Sequence, residues 1–288
     1  MKKIFFFAMI IVLLSACGNK TKKQTEERII TVTIEPLRYF TDAIVGDKFT
    51  VRSMVPKGVS PETYDPTPRQ LVELGESEVY LRIGYIGFEV SWMDRLMRNN
   101  PHLLTFDTSA GIDLIRDAGH FHGDHFHEGG VEPHVWNSAL NARIIAKNIL
   151  DAVIKIDREN EVYYFGRYEA LIKKIDDTDK AVQDILKENA DKAFMIYHPA
   201  LTYFAREYSL HQISIEEGGK EPSAAHLKEL IELSKFENVR IIFIQPEFDE
   251  RNAEMIAKET GTKTVPINPL SYDWEKEILH IAQSLKHE

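Results

Sequence analysis

Short β-branched runs alternate with stretches whose apolar residues recur three or four apart, and the alternation occurs twice, on either side of one unbroken helical stretch. Strands separated by helices cannot pair as tight hairpins, so each series implies a mostly parallel sheet covered by helices. In the first series the strands are expected at 29–34, 49–55, 79–83 and 102–106, with helices at 36–45, 68–74 and 91–98. Helical text resumes at Leu140. Between 160 and 187 the apolar residues Tyr164, Phe165, Tyr168, Leu171, Ile172, Ile175, Val182, Ile185 and Leu186 keep helical spacing. One helix of about 28 residues would reach about 42 Å, the length of a strut joining two bodies. A second series follows, with strands at 193–197, 212–215, 239–244 and 264–267 and helices at 201–208, 224–235, 252–260 and 274–285. The reading is an α/β chain of two lobes, each a mostly parallel sheet flanked by helices, joined by one long α-helix. The boundaries are 28–158 for the first lobe, 159–189 for the linking helix and 190–288 for the second. The halves share no visible sequence repeat.

The N-terminus carries an address. Met1-Lys2-Lys3 is basic, 4–14 is apolar, and Leu14-Ser15-Ala16 ends in small residues. That is the build of a secretory signal, and the apolar run is too short to span a bilayer comfortably. Cys17 follows at once and is the only cysteine, which excludes an intramolecular disulfide or a cysteine-based zinc site. Its setting resembles the bacterial lipobox, in which the cysteine is lipidated and becomes the mature N-terminus. Residues 1–16 are therefore expected to be removed, and the polar stretch 17–27 to be a flexible tether. The expected location is extracytoplasmic, anchored by lipid to a bacterial membrane. The formal net charge of −10 argues against a nucleic-acid partner.

In parallel α/β sheets ligands gather beyond the C-terminal ends of strands. Three metal-competent side chains follow expected strands or loops there: Glu62, in the loop after the second strand; His134, in Glu132-Pro-His-Val-Trp136; and His198, in Tyr197-His-Pro199. Asn268 follows the last strand in Ile267-Asn-Pro-Leu270. Two neutral imidazoles and a carboxylate suit zinc, or manganese and iron as the carboxylate share rises. Taken singly each has a plainer reading, a solvated loop glutamate or a histidine bonded to backbone. A further tract, 119–130, holds His120, His122, His125 and His127 among glycines and acids. Its composition points to an exposed, mobile loop that collects metal. No metalloprotease His-Glu-x-x-His, phosphate-binding glycine loop or Gly-x-Ser-x-Gly elbow is present. Glu89, beside the sparse Gly84-Tyr-Ile-Gly87, reads as structural.

At these residues the chain resembles the zinc/manganese solute-binding lipoproteins of ABC importers, the ZnuA/TroA-like family. Gly58 to Pro68 is similar to that family's Gly-x-x-Pro-His-x-Tyr-x-Pro-x-Pro segment, except that Glu62 stands at the ligand histidine. Glu132 to Trp136 resembles its Asp-Pro-His-x-Trp, and Tyr197 to Phe204 its strand ending in histidine before an aromatic helix. Glu221-Pro-Ser-Ala, Gln245-Pro246 and Asn268-Pro-Leu270 also fall where family text does. The resemblance implies two lobes around a metal site in the cleft, His134 and His198 as ligands, Glu62 as a substituted ligand, and Asn268 where many members have an aspartate. It implies a monomer that delivers its cargo to a membrane permease with a cytoplasmic ATPase. Zn2+ leads over Mn2+ and Fe2+, because nitrogen ligands favour it. Neutral imidazoles are required, so affinity should fall as pH drops through about 6.5. The rival classes are a surface adhesin using the same fold and a non-haem iron enzyme with a facial triad. The latter needs a cosubstrate pocket of which the sequence gives no sign.

Overall fold

The computed structural model describes residues 27–116, 120–122, 125–127, 130–188 and 192–286. The expected signal segment, Cys17 and all but the last residue of the tether lie outside these.

The first half runs β1 (Ile29–Val32), α1 (Glu35–Val45), β2 (Thr50–Ser53), α2 (Pro68–Leu74), β3 (Val79–Arg82), α3 (Gly87–Asn99) and β4 (Leu104–Asp107). Its strands form one parallel sheet in the order β2-β1-β3-β4. β1 is buried at every position, as expected of an interior parallel strand covered on both faces. Local chemistry sets the helix ends. Pro36 is the second residue of α1, in the first turn where a missing N–H costs nothing, and Thr67 with Gln70 makes a reciprocal capping box at α2.

The histidine-rich tract departs from the expected irregular loop. Its backbone forms an antiparallel ribbon of β5 (His120–His122) and β6 (His125–His127), pairing His120 with His127, Phe121 with Phe126 and His122 with His125.

A 3-10 turn at Val135–Asn137 leads into α4 (Ala139–Ile156), whose first turn is capped by Ser138 accepting from the Asn141 N–H. A second short turn precedes α5 (Glu161–Leu186), 26 residues long and about 39 Å at the standard rise. This helix is packed rather than free-standing. Tyr164, Leu171, Ile175, Val182 and Leu186 are buried, against α1 and α4 of the first half and a final helix of the second.

The second half runs β7 (Ala193–Ile196), α6 (Thr202–Glu207), β8 (His211–Ser214), α7 (Ala224–Phe236), β9 (Ile241–Ile244), α8 (Arg251–Thr260), β10 (Lys263–Pro266) and α9 (Trp274–Leu285). Its parallel sheet has the order β10-β9-β7-β8. Read from the other edge, this is second, first, third, fourth, the same order as in the first half. In both sheets the chain leaves the first strand toward one edge and later returns to the other side of it. The crevice beyond the ends of the first and third strands is therefore the natural ligand position in each half.

The halves share a core. One hydrophobic cluster holds β1 and β3 residues of the first sheet together with Phe194, Phe243, Trp274 and Ile281 of the second half. Trp136 and Trp274, both fully buried, tie them by hydrogen bonds as well: Trp136 Nε1 donates to the Pro269 carbonyl (2.8 Å) and Trp274 Nε1 to the Trp136 carbonyl (2.7 Å). Among the described residues no helix is long and apolar enough to cross a membrane.

Candidate metal centre

Between the halves lies a cavity of about 20 Å³, room for one ion or one water, bordered by Glu62, His134, Trp136, His198, Gln245, Glu247 and Phe248 among others. His198 enters from the end of β7 and the segment 245–248 from the end of β9, the two strands that flank the crevice of the second sheet. His134 arrives from the 3-10 turn before α4. Glu62 comes from the long loop after β2 and is held at the start of α3, where its Oε2 accepts the Gly87 N–H at 3.0 Å. A glycine is needed at that point, because a Cβ would lie 2.3 Å from the Glu62 carbonyl oxygen. Behind this, fully buried Glu89 accepts from the Thr33 hydroxyl and from the N–H groups of Ile83 and Gly84. Glu89 thereby fixes the ends of β1 and β3, the structural role its sequence setting suggested. Burial raises its pKa above the usual carboxylate range.

The imidazoles meet directly. His134 Nε2 and His198 Nε2 are 3.2 Å apart, with the rings nearly perpendicular. Each ring is held from behind by a carboxylate: His134 Nδ1 by Glu132 Oε1, and His198 Nδ1 by Glu216 Oε1 at 2.9 Å. Burial pushes the Glu132 carboxyl up, but the hydrogen bond and positive charge of His134 outweigh it and leave the pKa lowered. An ionised carboxylate only accepts, so each Nδ1 donates to its carboxylate, and a neutral ring held this way turns a bare Nε2 lone pair toward the other. Two lone pairs in contact repel unless a proton or a metal cation lies between them. The carboxylate–histidine pairing is the outer arrangement that orients metal-binding imidazoles in general.

The rings have no freedom to turn away. His134 is 5% exposed and packs against Trp136. His198 stacks on Phe248 at 4.9 Å between centroids. Its backbone is pinned by Gln245, whose Oε1 accepts the His198 N–H (2.9 Å) while its Nε2 donates to the His198 carbonyl (3.2 Å). Two carboxylate oxygens of the same cavity, Glu62 Oε1 and Glu247 Oε1, are buried without a hydrogen-bond partner. Burial raises the Glu247 pKa. Among the described residues no three His, Cys, Asp or Glu side chains already stand at coordinating distance from one point; the two imidazoles are the preformed part.

Of the residues singled out in the sequence, the fold thus brings Glu62, His134 and His198 to one cavity. Asn268 goes elsewhere. Its Oδ1 accepts the Leu270 N–H (3.0 Å), its own N–H donates to Glu277 Oε1 (2.7 Å), and it lines a neighbouring, open cavity of about 670 Å³. Sequence reasoning passed over Glu132, Glu216 and Glu247. The first sits two residues from His134, a spacing at which a side chain can fold back onto its neighbour. The third follows β9 in the position where strand-end ligands are sought.

The family described as zinc-uptake complex component A, periplasmic (ZnuA) matches residues 30–286. The chain belongs to the ZnuA family. Among its relatives is the high-affinity zinc uptake system protein ZnuA of Bacillus subtilis, 31% identical over 280 residues that cover 93% of this chain and 88% of the relative. The zinc-binding lipoprotein AdcA of Streptococcus pneumoniae is 27% identical over 94% of this chain, which spans only 56% of AdcA. A crystal structure of ZnuA superposes with a TM-score of 0.83 at 32% identity, covering 90% of this chain and 98% of that one. The ZnuA fold is thus shared almost end to end across the described residues, including both sheets and the helix between them.

Proposed function

We propose that the protein is an extracytoplasmic solute-binding protein that captures a divalent transition metal, zinc before manganese or iron, and hands it to the permease and ATPase of an ABC importer. The observation that carries this reading is the pair of facing Nε2 atoms, 3.2 Å apart, each with its Nδ1 committed to a carboxylate. Such a pair is made for a cation that prefers nitrogen, and the carboxylate of Glu62 beside it supplies charge. The relatives named for zinc uptake and zinc binding support the choice of metal and the role in uptake.

Capture needs no chemistry. The imidazoles are already aligned, so binding displaces little and the family's role is that of a binding component rather than an enzyme. Lipid attachment at Cys17 keeps a monomer near its permease, and the tract with His120, His122, His125 and His127 serves as an auxiliary metal-collecting loop. Transfer to the permease requires the cavity to open. The core shared by the halves and the packed α5 limit that motion to small shifts. The test is elemental analysis after dialysis against limiting zinc. The full chain is expected to retain close to one zinc, whereas His134→Ala and His198→Ala should retain almost none. Full retention by both variants would overturn the reading.

A further inference from the structure

We propose that Glu247 is itself a ligand of the captured cation, completing with Glu62, His134 and His198 a shell of two nitrogens and two oxygens. The proposal rests on the reading that this cavity takes a divalent metal. Two residues of the shell would come from each half, so that the ion bridges them.

Three observations converge on Glu247. It borders the cavity that His134, His198 and Glu62 border. Its Oε1, like that of Glu62, is buried and lacks a hydrogen-bond partner. Its neighbours in sequence are already wrapped around His198: Gln245 clamps the His198 backbone from one side of Glu247, and Phe248 stacks on the ring from the other. The chain from 245 to 248 therefore delivers the Glu247 carboxylate to the neighbourhood of the His198 ring and leaves its Oε1 without a hydrogen-bond partner.

The unmet demand in the cavity is for positive charge, not for a water. A water donates two protons, whereas the cavity presents two orphan carboxylate oxygens besides the two imidazole Nε2 atoms. One cation satisfies all four. Two carboxylates also balance the charge of a divalent ion, which removes the cost of leaving either carboxylate or ion uncompensated away from water. Closing the shell is a matter of glutamate side-chain torsions, since the backbones already border one space. The same donor set explains how a cavity without a third histidine can hold a nitrogen-preferring metal: four ligands are available without solvent.

The experiment uses the purified full chain, stripped with a chelator, and two metals, zinc followed by competition titration and cobalt(II) followed by its visible absorption. Glu247→Gln keeps the size of the side chain and removes its charge; Glu247→Ala removes the donor. Both are expected to bind zinc at least tenfold more weakly than the parent, and both to shift the position and intensity of the cobalt bands, with the melting temperature of the stripped proteins unchanged. A merely structural role would leave the cobalt spectrum as it is. Zinc affinity within twofold of the parent together with an unaltered cobalt spectrum in Glu247→Gln would overturn the proposal, and would mean that water completes the shell. His198→Ala measured alongside separates the two ideas: if it too binds zinc like the parent, the metal-capture reading itself fails, whereas loss in His198→Ala with none in Glu247→Gln fails Glu247 alone.

Discussion

At the scale of single residues, the pairing of each imidazole with a carboxylate does most to make the cavity fit for a cation. Glu132 is the clearer case, since its pKa is lowered by the bond to His134 against the effect of burial. Glu132→Gln should weaken zinc binding about 10- to 100-fold in a competition titration, the usual range for an outer partner of a metal-binding histidine. The lowered pKa also fixes a pH dependence. The folded value lies below the unfolded one of about 4.3, so this carboxylate adds stability at higher pH that is lost as pH falls through the folded value. Urea unfolding at stepped pH below about 5 should therefore show a shallower loss of stability in Glu132→Gln than in the parent. His134 and Glu132 were both visible in the sequence as Glu-Pro-His, but nothing there showed that the glutamate turns back onto the ring, because that depends on the wall of Trp136 against which the ring rests.

At the scale of elements, the start of α3 is the critical join in the first half. Gly87 opens that helix, donates to Glu62 and leaves no room for a methyl group. Helix propensity alone favours alanine over glycine by about 0.5–1 kcal/mol inside a helix. Gly87→Ala is nevertheless expected to destabilise the fold by about 1–3 kcal/mol, the range for overpacking, and to weaken zinc binding. Denaturant unfolding gives the sign, and a gain in stability would refute the close approach of Gly87 to Glu62. The histidine-rich ribbon belongs to this scale too. Glycines at 119, 123, 129 and 130 read as a mobile loop, while the backbone pairing of β5 with β6 shows that the histidines and phenylalanines between them also carry the alternation of a hairpin.

At the scale of the molecule, two sheets of the same strand order share one core with a long helix laid across it. Such continuity predicts a single cooperative unfolding transition, with calorimetric and van't Hoff enthalpies equal. The Trp136–Trp274 pair is the sharpest test. Trp274→Phe removes the donor that reaches the Trp136 carbonyl and leaves that carbonyl buried without it. A loss of about 1–3 kcal/mol is expected. Because Trp136 also walls the cavity, the same variant should bind zinc more weakly, which titration would read.

The sequence by itself determined the alternation of strands and helices in both halves, the long linking helix, expected at 159–189 and found at 161–186, and the approximate helix starts at Pro36, Pro68 and Leu140, because helical and strand periodicity is written in residues that lie within a turn or two of each other. It also offered His134, His198 and Glu62 as candidates, from residue type and position after strands. Which side chains share a cavity was decided only by tertiary structure. His134 and His198 are 64 positions apart yet touch, because two separate sheets direct their strand ends and turns into the same space. Asn268 carries the same kind of strand-end signal and is turned aside, because Glu277 on α9 takes its backbone N–H and Leu270 takes its side chain. Glu247 carries only the strand-end signal that Asn268 also carries. It gains its place at the cavity because β9 lies beside β7, a pairing that local residue preferences do not encode.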